Sequence, residues 1–406
     1  MSATAPWARQ RLERSLTTRP LVYGGNRVEL LRSGAEFFPR LLAAIADARA
    51  SIHLETYIFE LDAVGERIAG ALLDAARRGV AVHVLVDAFG SAKAVPLLRE
   101  RLAAGGVRVR VFRPGLCWRL ERRLLRRLHR KIAVVDDRVA FVGGINIIDD
   151  HHHPGVVGVD IGPRYDFAVV CEGPLVGLIA VVVRRLWWAV STGDRRPDEA
   201  PPRYVEPSPP LPENMRAALL LRDNLRHRRT IEHAYLEAID GARRDILLAN
   251  AYFLPGRRLR RALSDAALRG VRVRLLLQGR VEYRLQHYAQ QALYGELVQA
   301  GVAIHEYTPS FLHAKVAVVD DMWSTVGSSN IDPYSLLLAR EANVAVIDHG
   351  FALQLRNELE RAIEQGSMTV RAPMLAQRPW WKRIGYRLAY ATVRLLTFVA
   401  VRRVAE

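Results

Sequence analysis

The chain has 406 residues, half of them hydrophobic and a quarter charged, which is a folding composition long enough for two ordinary domains. Lys and Arg total 59 against 42 Asp and Glu, and the formal charge of +17 favours an anionic partner without choosing among nucleic acid, membrane and phosphate substrate. Cys117 and Cys171 are the only cysteines and neither has a metal-ligand spacing, which excludes a disulfide-stapled scaffold and a cysteine zinc site and predicts a reducing compartment.

Residues 1–24 read as a polar, basic extension, MSATAPWARQRLERS at its start, without the apolar core of a signal peptide. No stretch reaches the roughly 18–20 apolar residues of a membrane-spanning helix. A first domain is expected over 25–193. In it Ile68 and Leu72 lie on one helix face, and Gly79 follows where a helix ends in the left-handed region. The Val-rich run VAVHVLVDA (80–88) then reads as a buried strand. The stretch LHRKIAVVDDRVAFVGGIN (128–146) is a polar-punctuated cassette, and LVGLIAVVVRRLWWAV (175–190) reads as a core helix.

A linker over 194–214 carries seven prolines from Pro197 to Pro212. The second domain, 215–372, repeats the first. ARASIHLETYIF (48–59) returns as ARRDILLANAYF (242–253), and ALLDAARRGVAVHVLV (71–86) as ALSDAALRGVRVRLLL (262–277). The cassette returns as LHAKVAVVDDMWSTVGSSN (312–330). Strands alternating with helices predict two duplicated α/β domains, each a mixed sheet flanked by helices. Residues 373–406 open on Trp380, Trp381, Lys382 and Arg383 and turn apolar between arginines. That pattern predicts an amphipathic helix lying on anionic lipid with Trp at headgroup level.

Side chains alternate along a strand, so His129 and Lys131 face one way, as do His313 and Lys315. Asp136 and Asp320 have the opposite parity and are expected to support the local structure. Gly144 and Asn146, and Ser328 and Asn330, end the cassettes with small residues and an amide, suited to bringing N–H donors to a phosphate. If the halves meet about a pseudo-two-fold axis, two His, two Lys and two Asn share one active site. Two ammonium groups suit a phosphoryl transition state. One imidazole can attack phosphorus while the other serves as acid and then base. No metal or cofactor is required. DDHHHPGVVGVD (149–160) fits no standard ligand spacing and reads as a solvated loop.

The string H-x-K-x4-D-x6-G-[GS]-x-N, present twice in register, resembles the paired HKD motifs of the phospholipase D superfamily. The resemblance covers roughly residues 25–385 and is strongest to the short B-type bacterial cardiolipin synthases, through ETYIFELDAVGERIAGALLDAARRGV, both cassettes, ANAYFLPGRRLRRAL and the AREANV that follows the second. It implies that His129, Lys131, Asp136, His313, Lys315 and Asp320 form the catalytic set, with His129 the nucleophile and His313 the acid and base. It implies a His-orienting carboxylate after each cassette, Glu341 and Asp166. It implies phosphatidyl transfer between two phosphatidylglycerol molecules at the cytoplasmic face of the bacterial inner membrane, with peripheral attachment and no nucleic acid. The alternatives share the chemistry: a phospholipase D-type hydrolase, or another phosphatidyltransferase. Oligomeric state is not predicted.

Overall fold

The repeat in sequence is a repeat in space. The computed structural model describes residues 20–113, 126–152, 161–191, 205, 208–223, 227–333, 335 and 339–405, the last six by backbone alone. The first half contains β1 (Tyr23–Arg32), β2 (Ser51–Thr56), β3 (Ala81–Asp87), β4 (Arg108–Phe112), β5 (Lys131–Val135), β6 (Val139–Gly143) and β7 (Phe167–Glu172). The second contains β8 (Met215–Arg222), β9 (Asp245–Asn250), β10 (Arg272–Gln278), β11 (Ala303–Tyr307), β12 (Lys315–Val319), β13 (Trp323–Gly327), β14 (Glu341–Ile347) and an added edge strand, β15 (Ser367–Val370). The order is β15-β11-β10-β9-β12-β13-β14-β8-β1-β7-β6-β5-β2-β3-β4, mirrored about the β8–β1 seam. In each half the first three βαβ-type strands run parallel and the cassette hairpin joins them antiparallel.

The mixed sheets of the two halves join edge to edge into one. β1 and β8 pair antiparallel across a bulge, so each half covers the edge the other would expose. The buried Asn26 pins this seam. Its Nδ2 donates to Tyr23 O (2.7 Å) and Met215 O (3.2 Å), and its Oδ1 accepts from Leu175 N (2.9 Å).

Helices are α1 (Ser33–Asp47), α2 (Ala63–Arg77), α3 (Val95–Ala104) and α4 (Leu175–Ser191) in the first half. The second has α5 (Thr230–Gly241), α6 (Arg257–Leu268), α7 (Arg284–Gln291), α8 (Tyr294–Gln299), α9 (His349–Gly366), α10 (Ala372–Ala376) and α11 (Trp380–Ala405). Asp62 caps α2 by accepting from Val64 N and Gly65 N. Gly79 and Gly270 end α2 and α6 with φ of +90° and +89°, as their positions predict. The core helix expected at 175–190 is α4, buried along nearly its whole first half. It shares a single apolar cluster with α9 and with strands of both halves. α1 and α2 cover the opposite face of the first half, and α5 and α6 that of the second. Strand pleating sorts the cassette between these layers: Ile132 and Val134 face α4, while Ala133 and Val135 face α1 and α2. Cys171 is a buried free thiol, and Cys117 lies outside the described residues.

Candidate active site

Each cassette histidine sits just before the first residue of a strand, Lys131 of β5 or Lys315 of β12. The segment is held from behind by the last residue of a parallel strand: Leu128 N donates to Asp87 Oδ2 and Leu312 N to Gln278 Oε1, both at 2.9 Å. It is held from the side by the other half. Leu128 bridges Arg340, and Leu312 bridges Tyr165, each in parallel sense. His129 N donates to Arg340 O (3.0 Å) and His313 N to Tyr165 O (2.8 Å).

Those bridges set the next residue of each partner strand against the imidazole. Glu341 Oε1 lies 2.9 Å from His129 Nδ1, and Asp166 Oδ2 lies 2.6 Å from His313 Nδ1. The carboxylate following one cassette therefore orients the histidine of the other. With Nδ1–H assigned to the carboxylate, Nε2 keeps a lone pair, and neither Nε2 has a partner among the described residues. The side chains of His129 and His313 are 12% and 16% exposed, so both rings remain reachable.

The lysines are buried beneath them. Lys131 Nζ donates to His129 O (2.6 Å), and Lys315 Nζ donates to His313 O and lies 3.8 Å from Asp166 Oδ2. Lys315 Nζ is also 2.7 Å from His313 Nδ1, but a nitrogen donating to Asp166 has no lone pair to offer it. Burial lowers Lys131 to about 7 and Lys315 to about 8, against the pull of Glu341 and Asp166. Burial also lowers both histidines, His313 well below its usual value with Lys315 and Arg164 adding to the effect. Asp166 rises to about 6 through burial. Burial pushes Glu341 up too, but His129, Lys131 and Ser328 outweigh it and hold the carboxyl below its usual value. Near neutrality the site holds two neutral imidazoles on two carboxylates.

Other cassette residues take different places. Asp136 and Asp320, counted with the catalytic set through the motif, stand at the far ends of β5 and β12. Asp136 accepts from the backbone N–H of Arg49, Ala50 and Ser51, each at 2.8 Å. Asp320 does the same for Arg243, Arg244 and Asp245 at 2.8, 2.8 and 2.9 Å. Ser328 Oγ donates to Glu341 Oε2 (2.6 Å), so its hydroxyl serves the carboxylate rather than open space. At Gly144 a Cβ would run into the Asp166 carboxylate, so the shorter acid occupies what a side chain would need. Asn146 Oδ1 accepts from Ile58 N (3.1 Å), which leaves its amide N–H groups to donate, and Asn330 is buried beside Ser329.

Sequence reasoning passed over Tyr57. Its ring lies 4.9 Å from that of His129, with Lys131 Nζ 5.4 Å from its centroid. The string ETYIF contained it, but nothing in the string distinguished it from core. Asp87 reads only as part of the strand expected over 80–88, and no sequence reading attaches to Gln278. Of the 149–160 stretch, Asp149 N donates to Asp62 Oδ2 (2.7 Å) and Asp150 accepts from Gly34 N, while His151 and His152 are exposed and His153 lies outside the described residues. Among the described residues no group of three or more His, Cys, Asp or Glu could hold a metal ion.

A family model described as "Cardiolipin synthase, PLD-like domain" matches residues 41–152 and 235–363, one stretch in each half. The chain belongs to this family. It is thus a phosphatidyltransferase of the phospholipase D superfamily. It is 39% identical over 386 residues to the cardiolipin synthase B of Salmonella typhi, covering 91% of this chain and 88% of the relative. Identity to cardiolipin synthase B of Escherichia coli (strain K12) is 38% over the same shares. A phosphatidylserine synthase crystal structure from Haemophilus influenzae Rd KW20 superposes with a TM-score of 0.71 at 14% identity, over 97% of this chain and 99% of that one, and shows the shared fold. Among the described residues no helix is long and apolar enough to cross a membrane.

Proposed function

We propose that the protein makes cardiolipin from two molecules of phosphatidylglycerol. The observation that carries this reading is the crossed pair of His–carboxylate contacts over two buried lysines, in a chain of the cardiolipin synthase family. His129 Nε2 attacks the phosphorus of the first phosphatidylglycerol. The P–O bond to the headgroup glycerol breaks, and His313 gives its Nε2 proton to the departing oxygen. The phosphatidyl group then rests on His129. Neutral His313 takes the proton of the second molecule's glycerol hydroxyl as that oxygen attacks phosphorus, and the N–P bond breaks. Cardiolipin and glycerol leave, and both rings are restored.

Lys131, Lys315 and the amide groups of Asn146 and Asn330 are assigned to the phosphate oxygens, where negative charge spreads in the transition state. The anionic diester in turn favours the protonated forms of the lysines and of His313. The protein would act as a peripheral enzyme on the cytoplasmic face of the bacterial inner membrane.

The test is mass analysis of products from phosphatidylglycerol vesicles. Cardiolipin with one equivalent of glycerol is expected, and His129→Ala or His313→Ala should abolish it, since each ring is needed in at least one step. Phosphatidic acid as the sole product would assign a hydrolase instead, and full activity in either variant would sink the mechanism.

A further inference from the structure

α11 presents three faces at the α-helical repeat. Tyr386, Ala389, Tyr390 and Val393 turn inward: Ala389, Tyr390 and Val393 join the second-half core, and Tyr386 sits 5.7 Å from Tyr288 of α7. Arg260 Nη1 donates to Tyr390 Oη (3.0 Å), which ties the helix to α6. The opposite face shows Trp381, Ile384, Leu388 and Leu395 to solvent, 58%, 47%, 63% and 62% exposed. Arg383, Arg387 and Arg394 run along the border between these faces, spaced by whole turns.

Beneath the first turns of α11 lies a cleft of about 580 Å³ against α8 and α10, lined by Arg378, Arg383, Tyr386 and Arg387 with Glu296 opposite. The one carboxylate there is already engaged, since Glu296 pairs with Arg260 at 3.2 Å. Arg378 is held too, donating to Gln291 Oε1 (2.6 Å). No described residue supplies an acceptor to the guanidinium of Arg383 or Arg387. Two like charges one turn apart repel, and cations in the first turns of a helix oppose its dipole. An anion seated between them relieves both.

We propose that this cleft is a second, non-catalytic site for an anionic phospholipid of the bilayer. The phosphate sits on Arg383 and Arg387, and the acyl chains run along Trp381, Ile384 and Leu388. Exposed tryptophan beside an apolar stripe marks the lipid source over a soluble anion. The proposal rests on the reading that the substrate lies in a membrane, and not on the transfer chemistry.

The test is co-sedimentation of the full chain with phosphatidylcholine vesicles, with and without phosphatidylglycerol. Sedimentation reads binding without turnover, so a failure of the transfer reaction leaves it interpretable. Arg383→Gln/Arg387→Gln should weaken binding to the anionic vesicles by about tenfold or more, and Arg383→Lys/Arg387→Lys should retain most of it. Arg67→Gln/Arg99→Gln, which removes equal charge elsewhere, should change it little. Equal binding by the Gln pair and the wild type overturns the proposal, as does an equal loss in the Arg67/Arg99 control. Competition by millimolar inorganic phosphate also overturns it, by assigning a soluble-anion site. Loss of binding in the Lys pair as well, together with a lowered melting temperature, would assign the arginines to the fold and overturn it too.

Discussion

A histidine that attacks phosphorus must be neutral, and an ammonium that holds phosphate must be charged. Burial moves both groups down, and the two movements have opposite consequences. His129 stays neutral to below its usual value, so the acid side of activity is extended. Lys131 and Lys315, lowered to about 7 and about 8, lose charge as pH rises through that range. The pH profile of kcat/KM, which reports the free enzyme, should therefore fall as pH rises from about 7 upward, where the lysines lose charge. Bound phosphodiester stabilises the ammonium form, so the alkaline limb of kcat should lie at higher pH than that of kcat/KM. A kcat/KM flat to pH 9 on micellar phosphatidylglycerol would refute the role of the lysines. At this scale the sequence was readable where a local rule applied: strand alternation put His and Lys together and set Asp aside. The crossing of the carboxylates was not, because Glu341 and His129 are 212 residues apart and meet only through a bridge between the halves. Nor could composition tell that Ser328 turns to Glu341, or that Asp166 fills the space at Gly144.

The cassette hairpin explains the aspartates in its motif. Arg138 N donates to Val135 O (3.0 Å), and the turn between them has φ of 53° at Asp136 and 54° at Asp137. Both values are left-handed, a region Asp tolerates because its short polar side chain bonds nearby backbone. Asp136 uses that position to collect three N–H donors from the start of β2, which locks the hairpin to the neighbouring strand. Burial raises its pKa, but the three N–H groups outweigh burial and hold it below 3.8. Its contribution is therefore complete above the ordinary Asp value and is lost as pH falls through the lower folded one. Asp136→Ala should cost about 2 kcal/mol or more, through lost charged hydrogen bonds and a strained turn, while Asn at this position should cost less. Urea denaturation at pH 7 measures both, and an Ala variant as stable as wild type but without activity would return Asp136 to the chemistry. Helices and their stops were legible at this scale as well. Gly79, Gly270 and the apolar run of α4 each carry their structural cause in their own side chains.

The whole molecule is less divisible than its duplicated sequence suggests. A two-domain reading follows from the repeat and the proline-rich stretch, but the sheet runs through β1 and β8 without a break. One apolar cluster includes Ile132 and Leu178 from the first half and Val316 and Leu355 from the second. The seam was illegible because nothing local to 23–32 or 215–222 says that these two segments meet edge to edge. Two consequences follow for energetics. The halves should unfold together, since neither keeps a complete core alone, and calorimetry should give one transition with equal calorimetric and van't Hoff enthalpies. The covalent link between them should be dispensable once the sheet has formed. A protease site inserted at residue 198, cut after folding, should leave the fragments co-eluting, with activity within about twofold of the uncut chain, since the strand pairing that joins the halves, β1 to β8, does not include the cut position. Denaturing the cut protein and separating the fragments should remove activity from both, because His129 then lacks Glu341 and His313 lacks Asp166. Remixing should restore it with a rate second order in fragment concentration. An isolated fragment that turns over phosphatidylglycerol, or two resolved unfolding transitions, would show that each half is sufficient and that the crossed pairs do not orient the reaction.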